Sequence, residues 1–392
     1  MKVSNMYLIV PALLSALPAL ASNNLPTTGT LPDIIFVRKD CGTTPNCSTK
    51  LHEATKWLAT TRLPTETQPV TIDIGPGKFA YVGQLNIPTC TSYTSWQGSG
   101  PEQTILENGI TSPSSGCKQF HVSALQITQG TGYAPVVWLG GGDSTWVNVY
   151  LKGDIYGWID ANYGNCSDRA KHQWFSSRIS ASRKGYVAVC SENWFWGSEV
   201  SVTAVGNMTN PGVIVATHLP GGVSPEYHFY GSNLKLTLPD GIATAEPSET
   251  GDQCSGAVVV CSTGLGASVH IHGTGIDIVV NTLPDKVVAL AADNSGEIHA
   301  NSSAYNLSTG SGGTIQRVLK GVTGSGGEIH APYLWETRPE APFASPSGVT
   351  FKSVTGYDTA MVTSTVDGRP HMLVYDSTCT SGWWDTVTQN CR

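Results

Sequence analysis

The chain of 392 residues is poor in charge, with Asp, Glu, Lys and Arg making up only 13% of it. Solvated helical faces need more than that, so a helical protein is disfavoured from the outset. The 22 Lys and Arg fall short of the 29 Asp and Glu, for a net charge of −7. Phosphates demand a basic surface, which excludes a nucleic-acid partner. No Cys-x-x-Cys pair occurs among the ten cysteines, which argues against structural zinc. Also missing are a Gly-x-Ser-x-Gly elbow, a His-Glu-x-x-His motif, a P-loop glycine pattern and an EF-hand loop. Their absence sets aside serine-esterase, zincin and nucleotide chemistry. Finally, no segment approaches the roughly 20 apolar residues of a membrane-spanning helix.

What is present points outward from the cell. Lys2, an apolar run from Met6 to Leu20 and the closing Ala19-Leu20-Ala21 have the form of a signal peptide over residues 1–21. The expectation is a secreted monomer with no membrane partner, no metal and no cofactor. An even number of cysteines in an exported chain reads as disulfides. Short separations suggest pairing Cys41 with Cys47, Cys90 with Cys117, Cys166 with Cys190, Cys254 with Cys261 and Cys379 with Cys391, although spacing alone leaves the connectivity open.

The 43 glycines and an abundance of Thr, Ser and Val favour an all-β chain. From Val70 onward, short β-rich runs alternate with Gly, Asn, Asp and Ser clusters: VTIDIG, FHVSALQIT, WVNVYL, GVIVAT, SVHIHGTGIDIVV and EIHA among them. One pattern recurs, in Tyr227-His228-Phe229, Val269-His270-Ile271, Ile298-His299-Ala300 and Ile329-His330-Ala331. Repetition at uneven intervals of a few tens of residues suits a solenoid of short strands, in which successive coils stack to share one core. The right-handed parallel β-helix is the expected architecture, over residues 22–340. Leu51 to Leu63 carries the one helix-like apolar spacing and is placed as an N-terminal cap. A Pro-rich exit near Pro339 leads to a small C-terminal β appendage over 341–392. Imidazoles aligned across neighbouring coils invite a metal reading, but outward positions on a stacked sheet give ladders of like residues in any case and the mutual distances cannot be taken from spacing, so the histidines are read as a ladder.

The opening coils, VTIDIGPGKFAYVGQLNIP at Val70 to Pro88 followed by Trp96-Gln97-Gly98-Ser99-Gly100, resemble those of pectin methylesterases and the wider pectin-lyase-like superfamily. The resemblance implies a carbohydrate esterase that hydrolyses uronate methyl esters in pectin. Laid against the family, Asp160 takes the acid/base position, and Asn193 of Asn193-Trp194-Phe195-Trp196-Gly197 takes the nucleophile position. An amide cannot attack an ester as a carboxylate does. A polysaccharide lyase with a basic residue as base, and a non-catalytic glycan-binding β-helix, are therefore alternatives.

Residues 138–196 hold six of the eleven tryptophans, together with carboxylates such as Asp160 and Glu192. Flat aromatic faces stack on sugar rings, so Trp158, Trp174, Trp194 and Trp196 are the candidate substrate platform, with packing beneath long loops as the competing explanation. Arg178, inside the alternating run Ser176-Ser177-Arg178-Ile179-Ser180, would project outward and is a candidate base or ester ligand. The competing reading of Asp160, in Ile-Asp-Ala-Asn, is a turn residue capping backbone amides.

Overall fold

The computed structural model describes residues 34–37, 48–61, 63–79, 89–113, 115–129, 134–138, 142–160, 169–205, 210–218, 223–239, 256–280, 288–293, 295–301 and 303–309, with shorter stretches at 317–321, 328–330, 334–337, 359–363, 370–375, 379, 383–385 and 388–391. The proposed signal peptide and the Pro-rich exit lie outside them.

Among the described residues, the strands form three long sheets of 11, 14 and 8 strands. Each coil contributes one strand to each sheet in turn. Ala170–Phe175 lies in the first, Arg178–Ala181 in the second and Lys184–Ala188 in the third, before Ser191–Trp196 starts the next coil. Every pairing in the first and third sheets is parallel, and parallel crossovers take the right-handed sense. The protein is a right-handed parallel β-helix. Past Leu334–Thr337, the second sheet adds Thr359–Thr363 in parallel and then turns antiparallel through Pro370–Tyr375, Trp383–Asp385 and Asn390–Cys391. The C-terminal strands thus continue the solenoid's own sheet.

Several runs that look continuous in sequence are broken by a two-residue corner between the first and second sheets. FHVSALQIT divides into Phe120–Ser123 and Gln126–Thr128. The first corner residue is left-handed on successive coils: Ala124, Asn148, Ser176, Gly197, Gly231 and Gly273, with φ between 46° and 55°. The second corner residue is a hydroxyl on four of them, and these stack. Ser177 N donates to Ser198 Oγ (3.1 Å), and Ser198 N donates to Ser232 Oγ (3.2 Å). The three serine hydroxyls also donate to carbonyls of the preceding coil, Ser177 to Trp146 O, Ser198 to Trp174 O and Ser232 to Phe195 O. Buried corner amides are thereby satisfied where the strand ladders cannot reach them.

Inside, the helix fills with side chains at alternate strand positions. The coils from Trp96 to Phe229 pack aromatic rings from their first-sheet strands, and the strands that follow pack Leu234, Leu236, Ile271, Ile276, Ile278, Leu290 and Ile298. The helix Ser48–Thr60 buries Leu51, Ala54 and Leu58 against this same core, with Ile35 and Val37 of the first strand, as a cap should. Cys90–Cys117 and Cys379–Cys391 are disulfide-bonded as expected. Cys190 and Cys261 are also in disulfides, but their expected partners Cys166 and Cys254, and the pair Cys41 and Cys47, lie outside the described residues.

Candidate functional site

The residues proposed from sequence separate into three places. Asp160 and Asn193 point inward, 2% and 0% exposed. Asp160 Oδ2 lies 3.7 Å from His172 Nε2, whose Nδ1 meets Ser144 Oγ at 2.7 Å, and Ser144 in turn accepts from Trp146 Nε1 at 2.8 Å. Asn193 accepts from Tyr186 Oη (2.6 Å) and donates to Ser191 Oγ (2.9 Å). Burial, with Asp160 as a further cause, raises the pKa of Tyr186 and Tyr227 well above that of a free phenol. A Ser, His and Asp are therefore in line, but under a closed aromatic core that no polymer can reach. This corrects the catalytic assignment of Asp160 and Asn193: both are buried in the core, Asn193 hydrogen-bonded to Tyr186 and Ser191, and Asp160 Oδ2 facing His172 Nε2 beyond hydrogen-bond distance.

Trp158 and Trp174 are corrected likewise. Both are 0% exposed, as are Trp96, Trp138 and Trp146. They interlock, Trp146 with Trp174 stacked at 4.9 Å and Trp158 with Trp174 edge-to-face at 5.0 Å. The tryptophan enrichment is mostly core: four of the six rings in residues 138–196 are fully buried and interlock.

Arg178 does project outward, but from the second sheet. It is mostly exposed, packs over the Tyr150 ring at 5.1 Å and lies 3.6 Å from Glu199. It does not join the other candidates.

Trp194 and Trp196 stand on the outer face of the first sheet, opposite Asn193 and Phe195. Parallel register aligns their positions into columns. Trp194 is followed by His228, His270, His299 and His330, and Trp196 is followed by Tyr230 and His272. The Glu-x-His repeat thus falls on one side of one sheet, as the ladder reading of the histidines anticipates. Side chains one rung apart are separated by roughly 4.8 Å, close to the thickness of two stacked rings, so planar groups lie on one another. Ring centroids are 4.6 Å apart for Phe175 and Trp196, 3.9 Å for Trp194 and His228, and 4.8 Å for His228 and His270 and again for His270 and His299. Ring faces are covered by neighbouring rungs, and it is the edges that look outward.

Beside these columns runs a third, of charged residues. Lys171 approaches Glu192 at 3.6 Å, and Arg169 Nη2 holds Glu226 Oε2 at 2.9 Å while donating to Ser224 O at 3.0 Å. Trp194 Nε1 donates to Glu192 Oε1 at 2.7 Å. Glu226 Oε1 lies 2.9 Å from His228 Nε2 and 3.7 Å from His270 Nε2. Burial lowers the pKa of His228 despite the adjacent Glu226. Burial first, and then the neighbouring imidazoles, lower that of His270 to about 4. The carboxylates Glu192 and Glu226 lie only two positions from the aromatic and imidazole residues. Glu192 falls inside the tryptophan-rich stretch and is reached from sequence, whereas Glu226 is missed. Its signal was the recurring acidic residue two positions before the histidine in EYH and EIH.

No family model matches the chain, and no curated protein matches it. Among solved structures, the crystal structure of the pectate lyase Pel9A aligns at 11% identity with a TM-score of 0.41, covering 82% of this chain and 78% of that one. No helix of the described residues is long and apolar enough to cross a membrane.

Proposed function

We propose that the protein is a secreted β-helix that binds a pectin-like polysaccharide along the outer face of the first sheet. The observation that carries this reading is the conjunction, on one flat face, of the ring edges of Trp194, Trp196, Tyr230, His270 and His272 with the paired charges of Lys171, Glu192, Arg169 and Glu226. Sugar hydroxyls need fixed donors and acceptors, and ring edges offer C–H, N–H and O–H groups between them. The disulfides support export, since they persist in oxidising compartments.

Ester hydrolysis and lyase chemistry remain reactions this face could carry, with Glu226 in place of Asp160 as the carboxylate. One experiment separates them. The purified protein is incubated with highly methylated pectin and with polygalacturonate, with and without calcium, while binding, methanol release and the absorbance of unsaturated uronides are followed together. The expected result is binding that falls about tenfold or more in Trp196→Ala. Methanol release that survives Asp160→Ala and is lost in Glu226→Gln adds the esterase reaction, and calcium-dependent absorbance adds the lyase. No binding to either polymer overturns the reading.

A further inference from the structure

We infer that Glu226, His228 and His270 form a binding site for one divalent transition-metal ion of the zinc class. The inference stands apart from the glycan reading, because it rests on three side chains and no polymer. Alternation along Glu226–Tyr230 places Glu226 and His228 on the same side of one strand, and register sets His270 beside His228 on the next. The ligand atoms of all three lie within 4.8 Å of one another.

The carboxylate is already aimed. Arg169 occupies Oε2, which turns Oε1 toward both imidazoles, 2.9 and 3.7 Å from their Nε2 atoms. Such an outer partner, fixing a ligand's orientation, is a usual feature of metal sites. His228 Nε2 is buried and, although close to Glu226, falls short of hydrogen-bond geometry, so it is a polar atom lacking a well-directed partner.

Donor chemistry sets the class of ion. Two imidazole nitrogens and one carboxylate oxygen suit Zn2+, Co2+, Ni2+ or Cu2+, whereas Ca2+ and Mg2+ take oxygen ligands. The His270 side chain is 27% exposed, which leaves the solvent side open for a water as fourth ligand. The His228 and His270 rings stack nearly in parallel, so coordination closes their Nε2 atoms on the ion by rotation about χ2. His299, on the next rung, stands beside its own Glu297 at 3.3 Å and lies outside the cluster.

The test uses the full chain without a histidine tag, stripped with chelator and titrated at pH 7.5 with Zn2+ by calorimetry and with Co2+ by visible absorption. One ion per chain is expected. Because loss of an outer-shell partner alone weakens metal sites about 10- to 100-fold, His270→Asn and Glu226→Gln should each lose at least about tenfold in affinity. His272→Asn, in the adjacent column, should bind as the wild type does, and circular dichroism checks that every variant is folded. Absence of saturable binding by the wild type, or equal binding by all variants, overturns the site. No polysaccharide is present, so failure here leaves the glycan reading untouched, and failure of pectin binding leaves this site standing.

Discussion

Two neighbouring rungs of the first sheet send tryptophans to opposite fates. In Ala170–Phe175, Trp174 turns inward and stacks on Trp146 and Phe195, while Phe175, the next residue, faces out. In Ser191–Trp196 the inward places belong to Asn193 and Phe195, and Trp194 and Trp196 face out. Composition treats all three tryptophans as one class. The strand's period of two divides them, so the inner ring fastens coils together and the outer rings make a surface.

The largest effects should come from breaking the inner side of that comparison. Trp174→Ala should cost about 3–5 kcal/mol in denaturant unfolding, as removal of a buried aromatic does. Trp196→Ala, on the outer side, should cost only about 1 kcal/mol, for its stacking on Phe175 and Tyr230. Equal costs would dissolve the distinction between core and face.

The buried polar network comes next. Asp160→Ala should destabilise by about 1–3 kcal/mol, because it removes the polar group that faces His172 Nε2 in the interior. Polysaccharide binding by the folded fraction should not change. A variant that stays as stable as the wild type but loses binding would return Asp160 to the surface chemistry proposed from sequence.

The smallest effect is a titration. Tyr186 and Tyr227 are held protonated in the fold, while unfolded phenols ionise near pH 10. As the pH rises past 10, the unfolded chain therefore releases protons that the folded one retains. Stability should be intact below about pH 10 and fall above it. Thermal midpoints measured from pH 8 to 11 should show the decline, which Tyr186→Phe should lessen. No outer-face residue should reproduce that change, and an equal response from Tyr230→Phe would count against the inner and outer assignment.

Much of the fold was legible because it is written locally. VTIDI alternates apolar and polar residues and forms Val70–Ile74 with alternate burial, and GVIVAT forms Gly212–Thr217 without change of boundary. The cap expected over 51–63 is found at Ser48–Thr60, within three residues at either end. The corners were not legible, since a left-handed Ala124 or Ser176 carries none of the glycine signal that marks Gly197 and Gly231. As a result, single runs are read where two strands meet.

The sequence by itself determined the β class, the coiled repetition and the shared facing of the Glu-x-His pairs, because alternation and short-range spacing depend only on neighbours along the chain. The tertiary structure alone decided which alternate set is inside, and so removed Asp160, Asn193, Trp158 and Trp174 from any surface chemistry. It also decided that Glu226, His228 and His270 meet. His228 and His270, far apart in sequence, become neighbours only when parallel register stacks one coil on the next, and that register is fixed by the packing of the whole core rather than by any local stretch.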